Sequence, residues 1–174
     1  MGKVGAPHQV KLFFGFIFKE EPVYSSCRKI IEKHFGKIDL ESGCFDFGLT
    51  DYYAAEMGTG LKKRFLSAER LIQQDKLASV KVFTNSLEKK FSHKNCRLIN
   101  IDPGILDHAK IILASTKDFY HRVYIGQGIF AEVTLAYQNK TYRGFEWTYP
   151  DFKSCAYIDF FKRLRDIYAK QVNK

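Results

Sequence analysis

No CxxC pair occurs in this chain, and its four cysteines (Cys27, Cys44, Cys96 and Cys155) stand at long, irregular gaps. Zinc-ligand spacing is therefore absent, and cytosolic free thiols are the expectation. The longest apolar run, Leu12 to Phe18, falls far short of the ~20 residues that a membrane span needs. Residues 1–9 are polar and contain Gly and Pro, so no signal peptide is expected and the chain reads as soluble and cytoplasmic. Linkers, repeats and low-complexity tracts are missing too, which leaves one domain over residues 1–174. A lone tryptophan stands against sixteen Phe and ten Tyr, a balance that suits strands and aromatic-lined surfaces better than a Leu-rich bundle.

Several motifs are also lacking. There is no GxxxxGK[ST] loop to cradle phosphates, which excludes a P-loop GTPase. GxSxG, HExxH, EF-hand and GxGxxG strings are absent, so the corresponding mechanisms have no foothold.

What is present is a globular composition, 45% hydrophobic and 27% charged, with a net charge of +9. Such a surface attracts phosphates or nucleic acid. Val10 to Phe18 is nearly continuously apolar and should be a central strand covered on both faces. Glu20, Glu21 and Pro22 open a helix that should stop at Gly36. Strands are expected near Gly43 to Leu49 and over Leu61 to Leu71, then a helix from Gln74 to Phe91. A strand from Cys96 to Ile101 should stop at the turn-forming Asp102-Pro103-Gly104. This β-α-β-β-α-β order is ferredoxin-like. Further antiparallel strands are expected over Lys110–Ser115, with the end of a short helix from near Leu106 as the alternative there, and over Arg122–Ile125, Ile129–Tyr137 and Tyr142–Trp147, and a helix from Tyr157 closes the chain. The expected class is thus α+β, a ferredoxin-like start extended by strands and a C-terminal helix.

Polar residues crowd the strand ends. Asp51, Tyr52 and Glu56 follow one strand and precede Arg64; carboxylates there can act as acid and base or hold a divalent metal. Asp51 capping a short helix is the plainer alternative. Asn100 and Asp102 share a face at a strand exit. Lys117, Asp118, His121 and Arg122 combine both charge signs with an imidazole that can move a proton near neutral pH. Glu132 sits inside a strand and needs a cation such as Arg97 or Arg122 if buried. Trp147 and Tyr149 form either a stacking platform or an anchor for the last helix. The catalytic candidates are Asp51, Glu56, Asp102 and His121. The ligand-binding candidates are Tyr52, Arg64, Arg97, Asn100, Lys117, Asp118, Arg122, Glu132 and Tyr149.

Six segments together are recognisable: Phe45 to Tyr53, Glu56-Met57-Gly58, Lys81 to Asn85, Asn100 to Gly104, Ala114 to Asp118 with His121-Arg122, and Trp147 to Asp151. On these the chain resembles an uncharacterised bacterial family, domain of unknown function 4416, over nearly its whole length. Members carry the label "GTP-binding protein", and the resemblance implies no catalytic residues.

The leading expectation is a charged pocket at strand ends that binds, or binds and acts on, a phosphorylated small molecule or nucleotide. The alternatives are an RNA-binding module and an interaction protein without a small ligand. The cofactor and oligomeric state are not fixed by the sequence.

Overall fold

The computed structural model describes residues 2–48, 53–94 and 96–173. Its frame is a nine-stranded sheet in the order β11-β10-β8-β7-β1-β4-β2, with β3 added to β4 and β9 to β10. Every pairing is antiparallel. β1 (Val10–Phe18) is buried at every position, as its unbroken apolar run requires of a central strand. It lies between β4 (Leu61–Ile72) and β7 (Ile99–Leu106).

α1 (Glu21–Phe35) starts with Pro22 in its first turn and ends at Gly36, whose φ of 96° suits a residue without Cβ. α2 (Ala54–Met57) is a single turn, and α3 (Leu77–Lys90) follows a short 3-10 turn, Gln74–Lys76. Both helices pack on the sheet face carrying Leu12, Phe14, Phe16 and Phe18. α4 (Cys155–Val172), capped by the Ser154 side chain, covers the other face with Phe160, Phe161, Leu164 and Tyr168 against Phe13 and Phe65. No helix among the described residues is long and apolar enough to cross a membrane.

Several expected elements change. The strand near Gly43 to Leu49 is the short β3 (Phe45–Phe47), and a further strand, β2 (Ile38–Glu41), precedes it; both pair with β4. Glu41 faces Leu66 and Phe45 faces Lys63, so the edge carries one residue more than β4 between these pairs. Ser42 holds this bulge, exchanging hydrogen bonds of 2.9 Å with the Phe65 backbone.

Asp102-Pro103-Gly104 is not a turn. β7 runs through it in unbroken register with β1, from Phe18 opposite Ile99 to Lys11 opposite Leu106. β8 (Lys110–Ser115) joins β7 only from Gly104 onward, so Pro103 lies where one edge of the strand is unpaired and a missing N–H is tolerated. Gly104 serves close packing: a Cβ there would come 2.8 Å from the Ile112 carbonyl and would strike the Phe13 ring. Cys96–Arg97 is a separate two-residue strand, β6, paired with β5 (Ser92–His93).

Beyond β8 come β9 (Val123–Gly126), β10 (Ile129–Gln138) and β11 (Thr141–Gly144). The region from Tyr142 to Trp147 is therefore strand only to Gly144. Trp147 does not anchor α4: its Nε1 donates to the Val133 carbonyl at 3.0 Å, and its ring stacks on His121 and Phe145.

Candidate functional site

β7 and β8 are joined by three residue pairs, Gly104–Leu113, Ile105–Ile112 and Leu106–Ile111. Past Gly104 the two strands part. A cavity of about 450 Å³ lies there, a size that suits a small metabolite. Lys63 lines it from β4, Asn100 and Asp102 from β7, and Ser115, Thr116 and Lys117 from β8 and its exit. α3 (Leu77–Lys90) sends Lys81, Asn85 and Glu88, spaced as one helical stripe. Asp151 and Phe152 come from the 3-10 turn Pro150–Lys153. Phe47, Tyr53 and Tyr149 add aromatic wall.

Most charges in this wall are spent on one another. Lys81 Nζ reaches past the unpaired edge of β7 to Asp102 Oδ1 at 3.0 Å and the Ile101 carbonyl at 3.1 Å. Asn100 Nδ2 donates to Asp102 Oδ2 at 2.6 Å, and Asn100 Oδ1 accepts from Arg97 at 2.9 Å. Arg97 forks onto Glu56 with bonds of 2.8 and 2.6 Å and reaches Glu88 at 3.3 Å. Glu88 also accepts the Ile101 N–H at 2.8 Å. On the far wall Arg122 donates to Glu132 at 2.7 Å and to Ser115 Oγ at 2.8 Å. Both charged side chains there are nearly inaccessible, at 3% and 2%, so each depends on the other.

The environment splits the carboxyls. Burial pushes Asp102 upward, but Lys81 and Lys63 outweigh it and hold the group below the ordinary aspartate range. Burial pushes Glu88 and Asp151 up. The Arg97 hydrogen bonds hold Glu56 down, and Glu56 in turn holds the guanidinium charged. One cavity therefore contains a carboxyl held below the ordinary aspartate range, Asp102, and one that burial pushes above it, Asp151.

Lys63 differs from the other cations whose pairings are described above. It is 3% exposed, and among the described residues its Nζ makes no hydrogen bond or ion pair. It lies over the rings of Phe47, Phe65 and Phe152 at 5.7, 5.4 and 5.5 Å. Lys11, buried on the same sheet face, is fully served by Asp39 and Gln171. An ammonium taken out of water without a partner is costly, so Lys63 is the group with donors to offer. Asn85 likewise makes no side-chain hydrogen bond among the described residues, and Asp151 accepts backbone N–H groups alone, that of Phe152 at 3.1 Å and its own.

The sequence candidates divide accordingly. Arg97, Asn100, Asp102, Lys117, Arg122, Glu132 and Tyr149 line the cavity. Glu56 stands behind it, gripping Arg97. His121 is behind the wall as well: Nε2 lies 3.1 Å from Glu132 Oε2, and the ring is stacked between Trp147 and Phe119. Asp118 is exposed and does not line the cavity. Arg64 is misplaced by the sequence reading. It sits on the α1 face, donating to Glu21 at 2.7 Å over the Tyr24 ring, because alternation along β4 sends consecutive side chains to opposite faces. Asp51 and Tyr52 lie outside the described residues. Lys63, Lys81, Asn85, Glu88 and Asp151 were not among the catalytic or ligand-binding candidates. The polar stripe Lys81, Asn85, Glu88 on an otherwise apolar helix side was a usable signal. Among the described residues no group of three His, Cys, Asp or Glu is placed to hold a metal ion.

A family model matches residues 8–168. The chain belongs to the family described as Domain of unknown function (DUF4416). All the segments that carried the DUF4416 resemblance, except Glu56-Met57-Gly58, contribute lining residues to the cavity. No curated protein and no solved structure matches the chain.

Proposed function

We propose that this DUF4416 protein binds a phosphorylated small molecule or nucleotide in the cavity between β7 and β8. The observation that carries this reading is Lys63, a buried ammonium that lines the cavity and makes no hydrogen bond or ion pair among the described residues. An oxyanion is the complement of such a group. Cationic residues outnumber anionic ones in the wall, with Lys63, Lys81, Arg97, Lys117 and Arg122 against Glu88, Asp102, Glu132 and Asp151. Phe47, Tyr53 and Tyr149 supply faces for a flat group such as a base. The strand order β7-β1-β4-β2 supports a ferredoxin-like reading of the first half, and four unpaired thiols support a cytoplasmic setting.

Thermal melting with nucleoside monophosphates, nucleoside diphosphates and sugar phosphates tests the reading. A ligand at a hundredfold its Kd stabilises the native state by about 2.7 kcal/mol. At least one compound should raise the melting temperature of the wild type and leave Lys63→Met unmoved. No shift with any compound, or an equal shift in the variant, would sink it.

Exposed aromatics on the connection after β8 and on β9, Phe119 at 49%, Tyr120 at 85% and Tyr124 at 59%, favour a second reading, an RNA face. Salt-dependent binding of single-stranded RNA, lost in Tyr120→Ala with Tyr124→Ala, is its signature.

A further inference from the structure

Resting on the oxyanion reading, the question is how a cavity with four carboxyls in its wall holds an anion. Glu132 is neutralised by Arg122, and Asp102 by Lys81. Both Glu88 oxygens are occupied, one by the Ile101 N–H and one by Arg97. Asp151 remains. Its Oδ1 takes the Phe152 N–H at 3.1 Å, its own backbone N–H also draws on the carboxyl, and no side chain among the described residues donates to it. The residue is 7% exposed and lines the cavity. The charged and titratable groups that face it are Lys63 from β4, Asp102 from β7 and Tyr157 from α4.

An ionised Asp151 would cancel the field of Lys63 and repel an incoming anion. A neutral Asp151 would leave that field intact and offer an O–H of its own. We propose that Asp151 is a ligand-contacting residue that acts in its uncharged form, donating a hydrogen bond to the same oxyanion that the Lys63 ammonium holds. The anion then enters with a proton: where Asp151 is ionised beforehand, its carboxylate takes one proton from solvent as the ligand binds. Burial, which already pushes this carboxyl upward, acts in the same direction.

The chemical class follows. A donating Asp151 accepts a fully ionised tetrahedral oxyanion, sulfate as well as phosphate. An accepting, ionised Asp151 would take only an oxyanion that carries its own proton, and would refuse sulfate.

Calorimetric titration of the full chain with sulfate, which holds no proton over this range, between about pH 4 and about pH 8 provides the test. The wild type should bind sulfate, with affinity falling about tenfold per pH unit above the Asp151 midpoint. Asp151→Asn, which keeps an amide donor, should bind with no such slope, and Lys63→Met should not bind at any pH. Far-ultraviolet circular dichroism confirms that each variant is folded. Sulfate binding without a pH slope, or a slope that survives in Asp151→Asn, overturns the role of Asp151 and leaves the anion site standing. Phosphate binding with sulfate refused also overturns it, in favour of an ionised Asp151. Binding of neither anion at any pH overturns both readings together.

Discussion

Lys81 Nζ lies 3.0 Å from Asp102 Oδ1, although the two side chains start from opposite sides of the sheet. Lys81 belongs to α3, which packs on the face of Ile99 and Ile101. Asp102 shares its face with Gly15 and Phe65. The contact is possible because β7 has one unpaired edge before Gly104, and the lysine stem passes beside it.

Replacing that lysine should therefore be felt through Asp102. A carboxyl held below its ordinary value contributes stability above about pH 4 and loses it as the pH falls through the folded value. Lys81→Met should cost about 1.5–3 kcal/mol near neutral pH, the value of hydrogen bonds to a charged group. Its deficit relative to wild type should shrink in acid. Urea unfolding at several pH values checks this; a deficit that stays constant down to about pH 2 would contradict it.

The Arg122–Glu132 pair should behave as a closed unit. Glu132→Gln strands a guanidinium that is 3% accessible, at a cost of about 3–5 kcal/mol. Arg122→Met combined with Glu132→Leu removes both charges and should recover most of that loss. A double-mutant cycle in denaturant measures the coupling, and additive losses would argue against it.

Asp151 carries the opposite sign from Asp102. A carboxyl pushed up in the folded state favours the native protein most below its unfolded value, about pH 4, and loses that advantage as the pH rises through the folded value. Asp151→Asn does not titrate. Its melting temperature should match the wild type in acid and exceed it at neutral pH, where the wild type must bury a charge or hold a proton. A variant less stable than wild type at pH values near 7 would refute this.

Lys63→Met should leave stability equal or higher, because it removes a buried ammonium that makes no hydrogen bond among the described residues and keeps a similar volume against Phe47, Phe65 and Phe152. Differential scanning calorimetry of the unliganded protein reads this directly. A large drop would mean that the cation holds the three rings in place.

Much of the scaffold was legible because local rules decided it. The apolar run of β1, Pro22 and Gly36 around α1, and the alternation of β4 all read correctly. Asp102-Pro103-Gly104 misled because its turn chemistry is local, whereas its extended form is imposed by β1 along its whole length. The site divides in the same way. Clusters of mixed charge marked the region, and their strength as a sequence signal came from residues that satisfy each other, such as Arg97 with Glu56 and Arg122 with Glu132. Lys63 was not among the candidates. It sits in a run, Lys62-Lys63-Arg64, where only the pleat distinguishes the buried residue from its neighbours. Asp151 looked like the end of an aromatic segment, and its place in the cavity depends on the return of the chain from β11 to α4.

The short ladder between Gly104–Leu106 and Ile111–Leu113 is a narrow seam in the sheet. Lys63 and Asp102 stand on one side of it, Arg122 and Glu132 on the other. A molecule in the cavity would therefore bridge two groups of strands that, among the described residues, are joined in the sheet by only these three residue pairs.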